Sequence, residues 1–246
     1  MNIRYKLPGN LSLKFTIFFL VAFPIPQNSP AQGFNGKVSV NAVYQIYKNG
    51  SLFTAESASL YKGQTGDIIT HYFSPKDFYK KINSKGEITI YTPEDNTVTF
   101  MQNSQYSSST ELLYFFVNNL TQDMGLKNEG FNQIGTRRED NYLITTWQSP
   151  PGMRVVSSVE LVSENFLPIF AQYFDNKGKV LKKIYYYNYF NGPQFFLPKK
   201  ITEINYMSKG DSTVRRTTFS DIKTGFNADE KLFDFKIPED AKKVDF

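Results

Sequence analysis

Apolar and polar residues alternate along most of the chain. Val38, Val40, Ala42, Tyr44 and Ile46 are interleaved with Ser39, Asn41 and Gln45. Successive side chains of a strand point to opposite faces, so this period of two predicts a half-buried strand. Asn49-Gly50 is a tight-hairpin signal, and 51–62 continue as a second strand up to the turn at Gly63 to Gly66. Residues 68–73 predict a third strand, stopped by Ser74-Pro75. Residues 78–82, 87–91 and 97–101 read as a meander, with turns at Ser84-Lys85-Gly86 and Pro93-Glu94-Asp95-Asn96. Pro93 stands just past a strand, where its missing N–H does no harm.

The period changes at Ser108. Ser108 with Glu111 three residues on fits a capping box. Leu112, Leu113, Phe116, Val117, Leu120 and Met124 follow at helical spacing, and Gly125 suits the position after a helix end. A helix over 109–124 is predicted. Tyr114 and Phe115 widen its apolar face, so it needs cover on more than one side or an apolar surface beneath it. Strands are predicted again at 142–148, 155–161, 169–174, 180–190, 200–207, 212–221 and 232–236, on the order of ten strands in all. A mainly antiparallel chain with one mid-chain helix is not a doubly wound α/β fold. It is a strongly curved sheet covered by its helix, or a sandwich. No linker or repeat divides residues 32–246, so one domain is expected there.

Residues 1–31 break the alternation. Arg4, Lys6 and Lys14 precede the apolar run 15–23, and Ser29-Pro30-Ala31 places small residues before Gln32. This is the pattern of a cleavable export signal. A membrane helix needs roughly 20 apolar residues. This run is shorter and is broken by Pro24 and Pro26. With no Cys after it, N-terminal acylation has no acceptor, so a soluble protein in the periplasm, or alternatively a secreted one, is expected.

Composition sharpens this picture. The 246 residues hold 28 Lys and Arg against 23 Asp and Glu, a net charge of +5. Without the three bases of the leader, 25 face 23, which is too even for a nucleic-acid partner. The absence of Cys removes disulfides, thiolate nucleophiles and zinc-thiolate sites, and a single His removes multi-histidine metal centres. No nucleophile elbow, phosphate loop or metalloprotease motif is present. No enzyme activity, metal or cofactor is expected. His71, inside a predicted strand, could orient a serine nucleophile or simply be a hydrogen-bonded strand residue.

The aromatic content is high, at 16%. The run Tyr185-Tyr186-Tyr187-Asn188-Tyr189-Phe190 puts rings on both faces of one strand. They either fill a β core or wall an apolar cavity too large for the chain's own side chains, with helix 109–124 as its lid. Lys182-Lys183 and Arg215-Arg216 add a further constraint. Neighbours on a strand face opposite ways. Mid-strand, one of each pair points inward and wants an anion such as a lipid phosphate or a carboxylate, whereas at a strand end both reach water.

Several segments resemble the LolA-like family, the periplasmic lipoprotein carriers of Gram-negative bacteria. They are Gly66-Asp67-Ile68 leading to Ser74-Pro75-Lys76-Asp77-Phe78; Lys85-Gly86-Glu87-Ile88-Thr89-Ile90-Tyr91-Thr92-Pro93 followed by Asn96-Thr97-Val98; helix 109–124 in the lid position; and the ending Phe219-Ser220-Asp221-Ile222, Phe226-Asn227 and Leu232-Phe233-Asp234-Phe235-Lys236-Ile237-Pro238. The resemblance covers roughly 37–240. It implies an unclosed antiparallel half-barrel whose concave apolar face, under a helical lid, receives acyl chains of lipids or lipoproteins. It also implies an inner-membrane ABC transporter and an outer-membrane acceptor as partners of a monomeric carrier. The expected lining is Tyr72, Phe78, Ile88, Ile90, Val98 and Phe100 from the sheet, and Leu112, Leu113, Phe116, Val117 and Leu120 from the lid. Two departures stand out. Carriers commonly have Arg immediately before the Pro of the third-strand motif, where this chain has Ser74. The family's N-terminal helix also has little room ahead of Val38. The alternatives are an envelope sensor or interaction module built on the same half-barrel, and an extracytoplasmic hydrolase relying on His71.

Overall fold

The computed structural model describes residues 33–103, 106–207 and 211–245. The leader expected at 1–31 lies outside the described residues. Fourteen strands form one sheet among the described residues. They are β1 Lys37–Lys48, β2 Ser51–Lys62, β3 Asp67–Ser74, β4 Phe78–Ile82, β5 Glu87–Thr92, β6 Thr97–Gln102, β7 Asn132–Glu139, β8 Tyr142–Gln148, β9 Ser158–Glu164, β10 Leu167–Phe174, β11 Val180–Asn191, β12 Phe196–Tyr206, β13 Ser212–Thr224 and β14 Lys242–Lys243. Between β6 and β7 lie a 3₁₀ turn, Ser108–Thr110, and the helix α1, Leu112–Val117. A second one-turn helix, α2, is Lys231–Asp234.

Two meanders meet in the middle. From β1 the sheet runs outward through β2 to β6, and from β13 it runs the other way through β12 back to β7. β1 and β13 pair antiparallel at the junction, with Ala42 opposite Phe219 and Tyr44 opposite Thr217. The short β14 adds to β6 in parallel. The far strands, β14 and β7, do not pair with each other, so the sheet is a half-barrel left open. The hairpin at Asn49-Gly50 forms as its sequence demands: both residues take positive φ, 50° and 76°.

Alternation sorts the side chains into two faces. On the concave face Val38, Val40 and Ala42 of β1, Tyr61 of β2, Ile68 of β3, Ile88 of β5, Trp147 of β8, Leu161 of β9, Tyr186 of β11, Ile201 of β12 and Phe219 of β13 pack into one core with Leu113, Phe116 and Val117 of α1. The convex face of β1 to β6 is covered by the C-terminal segment. Phe235 stacks on Tyr79 at 3.9 Å and tilts against Tyr91. The Asp229 N–H donates to Ser39 Oγ, and Lys37 pairs with Glu230. Leu60, Ile69, Tyr91 and Val98 are buried there rather than in the concave core.

Several elements differ from the sequence expectation, the two-residue β14 among them. The helix expected over 109–124 is only six residues long. Its end is a Schellman motif: Asn119 takes φ +55°, its N–H reaches Phe116 O at 3.1 Å, and the Leu120 N–H reaches Phe115 O at 2.8 Å. Asn119, not Gly125, is therefore the residue past the helix end. The expected capping box is absent as well. Glu111 is itself the N-cap, makes no side-chain cap bond and gives its carboxylate to Lys80 at 2.8 Å. β7 was not expected. Its sequence NQIGTRRE shows no apolar alternation because it is a solvent-exposed edge strand. Residues 232–236, expected as a strand, hold part of α2 instead.

Candidate ligand cleft

α1 covers only part of the concave face. Phe116 and Val117 are fully buried, and Phe116 meets Tyr186 and Tyr189 edge-on at 5.8 and 6.2 Å. Leu126 and Phe131, from the turns after the helix, complete this covered part. Asn118 fixes the helix end in place. It accepts from the Phe34 N–H at 3.0 Å and donates to the Tyr61 hydroxyl at 3.1 Å.

Beside the N-terminal end of α1 the face stays open. A cleft of about 430 Å³ is lined by Tyr44, Gln45 and Ile46 of β1, Ala55 of β2, Tyr72 of β3, Ile201 and Glu203 of β12, Arg215, Arg216 and Thr217 of β13, and Leu112 of α1. That volume lies in the usual range of small-molecule sites. Strand pairing sets the arrangement: Tyr44 lies opposite Ala55 and Thr217, Ile46 opposite Arg215, and Glu203 opposite Arg215. A larger recess of about 590 Å³ is lined by loop residues 148–154, Val156, Ser157 and Asn176. It belongs to loops at one end of the sheet, whereas the cleft is walled by five strands and the helix.

No family model matches the sequence, and no curated protein matches it. Solved structures do. A LolA superfamily protein from Nitrosomonas europaea superposes with a TM-score of 0.52 at 15% identity, over 82% of this chain and 92% of that one. A domain from Vibrio parahaemolyticus named for outer-membrane lipoprotein sorting gives 0.53 at 11% identity, over 82% and 90%. A DUF1329 family protein from Desulfovibrio piger gives 0.51 at 14%, over 80% and 89%. The fold is LolA-like.

The residues expected to line the LolA-like face are divided by the structure. Tyr72 and Leu112 line the cleft. Phe78 stacks on Tyr72 at 4.4 Å, and Tyr72 lies 6.4 Å from Tyr44, so three rings form a wall on one side. Ile88 is in the covered core and Ile90 packs at its margin. Val98 and Phe100 are on the other face, a correction to the expected lining. Val98 lies opposite Tyr91, and Phe100 opposite Thr89, on the convex side. Ile88 and Ile90 differ from Tyr91 by an odd number of residues, and that alone sends them to opposite faces. Phe100 is 58% exposed, with the Lys243 ammonium 5.9 Å from its ring. From the helix, Leu113, Phe116 and Val117 are core, while Leu120 lies past the helix end and is exposed.

Tyr44, Ile46, Ala55, Ile201, Glu203, Arg215 and Thr217 were not expected in the lining. Two signals in the chain pointed to them. The period-two run of β1 puts Tyr44 and Ile46 on the face of Val38, and the Arg215-Arg216 pair, which the structure places inside β13, then has one member on that face. Arg215 is that residue, 3.8 Å from Glu203. In the other basic pair it is Lys182, whose ammonium sits 4.1 Å over the Tyr173 ring. Across the cleft, Lys80 holds Glu111 at 2.8 Å. Burial, followed by the neighbouring Tyr72, pushes the Tyr44 phenol up to about 12, and burial also raises that of Tyr72. Both hydroxyls therefore stay protonated donors near neutral pH.

His71 lies on the convex face. Its Nε2 is 2.8 Å from Asp77 Oδ1, and its ring stacks on Tyr79 at 4.1 Å. Among the described residues no serine hydroxyl hydrogen-bonds it. No group of three or more potential metal ligands occurs among the described residues, and none of their helices is long and apolar enough to cross a membrane.

Proposed function

We propose that the protein is a carrier of acyl chains in the cell envelope, exported by its leader and working in the periplasm. The observation that supports this most is the cleft: apolar side chains of β1, β2, β3, β12 and α1 line an opening that a core would otherwise close over. Acyl chains need no catalysis to bind. Each CH₂ moved from water into such a surface contributes about 0.8 kcal/mol, so a chain of ordinary length binds through burial alone. α1 is only six residues long, so it covers part of the concave face and leaves the cleft beside Leu112 open for a chain to enter. The cargo is a lipid or a lipoprotein, received from an inner-membrane ABC transporter and delivered to an outer-membrane acceptor.

Native mass spectrometry of protein purified from its own host tests this reading. Bound lipid or acylated peptide is the expected result. A protein that comes out empty, and that also fails to release lipoproteins from spheroplasts, overturns it.

A further inference from the structure

Arg215 lies opposite Ile46 and Glu203, which both line the cleft, while Arg216, opposite Gln45 and Thr202, borders it from the alternate strand positions. The nearby carboxylate does not satisfy it. Glu203 Oε1 already accepts from Asn205 Nδ2 at 2.6 Å, and Arg215 stands off at 3.8 Å, beyond hydrogen-bond distance. Its side chain is 59% exposed, against 25% for Glu203. The second carboxylate near the cleft, Glu111, is held by Lys80. Lys182 lies opposite Asn205, so two cations, Lys182 and Arg215, flank Glu203 along this edge. A planar guanidinium fork matches carboxylate and phosphate oxygens two at a time.

The size of the cleft limits the apolar part of a ligand. A cavity of about 150 Å³ holds one benzene. The 430 Å³ here therefore holds roughly three such rings' worth of carbon, enough for one chain of about 17 atoms and not for two or three.

Resting on the carrier reading above, we propose that the cleft takes a single-chain anionic amphiphile. Its chain lies along Ile46, Ala55, Leu112 and Ile201, and Arg215 meets its carboxylate or phosphate. The carboxylate source is a free fatty acid and the phosphate source a lysophospholipid.

Delipidated protein, titrated calorimetrically with palmitate, palmitoyl-lysophosphatidylglycerol, hexadecanol and dipalmitoylphosphatidylglycerol, tests this. One palmitate or one lysolipid per chain is expected, with hexadecanol about ten-fold weaker. Whichever anionic ligand binds more tightly identifies the headgroup. Arg215→Gln should weaken the anionic ligands about ten-fold and leave hexadecanol unchanged, while Arg215→Lys restores part of the loss. An unchanged urea midpoint for both variants shows that folding is not what was lost. Equal binding of hexadecanol and palmitate, no effect of Arg215→Gln, or tighter binding of the two-chain lipid overturns the proposal while leaving the carrier reading standing. If no amphiphile binds, hexadecanol included, the carrier reading fails with it.

Discussion

Beneath α1 the concave face is a packed interior, and a few residues along the same strands it is a cleft. In the covered part Phe116, Val117, Trp147 and Leu197 are almost wholly buried, and rings meet edge-on. In the open part Tyr44, Ile46 and Ala55 present the same kind of surface to the cleft, beside Leu112, which is 39% exposed. The strand chemistry does not separate the two. β1 contributes Val38, Val40 and Ala42 to the core and Tyr44 and Ile46 to the cleft, by one unbroken alternation. The difference is where the cover stops. α1 begins at Leu112 and ends six residues later, and it carries Leu113, Phe116 and Val117 into the core but leaves Leu112 at the cleft wall. An apolar face acts as core or as binding surface according to what lies over it.

Substitutions in the two parts should therefore have opposite signatures. Phe116→Ala removes a fully buried ring from the covered part and should cost about 3–5 kcal/mol, read as a lower urea midpoint. If that variant lost ligand but not stability, the two parts would be one site. Ala55→Trp fills the open part. It should abolish acyl-chain binding in a fluorescent fatty-acid displacement assay and change stability by about 1 kcal/mol or less. Large destabilisation would mean that the cleft is closed in solution.

The tyrosines give a pH test of the same contrast. Burial pushes the Tyr173 phenol up to about 12, and Tyr186 and Tyr189 are raised as well, all in the covered part. Between pH 10 and 12 the unfolded chain releases these protons while the folded protein keeps them. Stability should therefore be intact below pH 10 and fall as pH rises toward 12. Tyr186→Phe should flatten that fall, measured by urea denaturation across this range. Tyr44→Phe, in the open part, should flatten it less, because Tyr44 is raised only to about 12 whereas full burial raises Tyr186 further.

Two smaller effects probe the boundary of the cover. Asn119→Ala puts a side chain with no local hydrogen bond into positive φ and loses the bond to Gln194 O, at about 1–2 kcal/mol by thermal or urea melting. Glu111→Gln breaks the partly exposed pair with Lys80 and should cost no more than about 1 kcal/mol in a double-mutant cycle. A larger value would make that pair, rather than the buried rings, the anchor of α1.

The half-barrel was legible in the chain because its signals are local. Period-two alternation and turn residues such as Asn49-Gly50 and Ser84-Lys85-Gly86 depend on neighbours in sequence, and most strands fall where they point. β7 escaped because an exposed edge strand buries no face, so its sequence carries no alternation. The helix was overextended because Leu120 and Met124 continue the 3.6-residue pattern, while its end is set by Asn118 and Asn119 bonding to Phe34, Tyr61 and Gln194, which are distant in sequence. Two of the expected lining residues, Val98 and Phe100, fall on the convex face for a related reason. Alternation states that Val98 and Phe100 share a face, but not which face. The C-terminal segment, crossing the convex side to Tyr79 and Tyr91, decided it.

By itself the sequence determined a mainly antiparallel protein with an apolar helix in mid-chain and no Cys-based chemistry. Tertiary structure alone decided which face is concave, how far α1 reaches across it, that the basic pairs Lys182-Lys183 and Arg215-Arg216 both lie inside strands, and that Arg215 borders the cleft. The physical reason is that strand period and turn chemistry act over a few residues. Burial of a face depends on segments brought together from opposite ends of the chain.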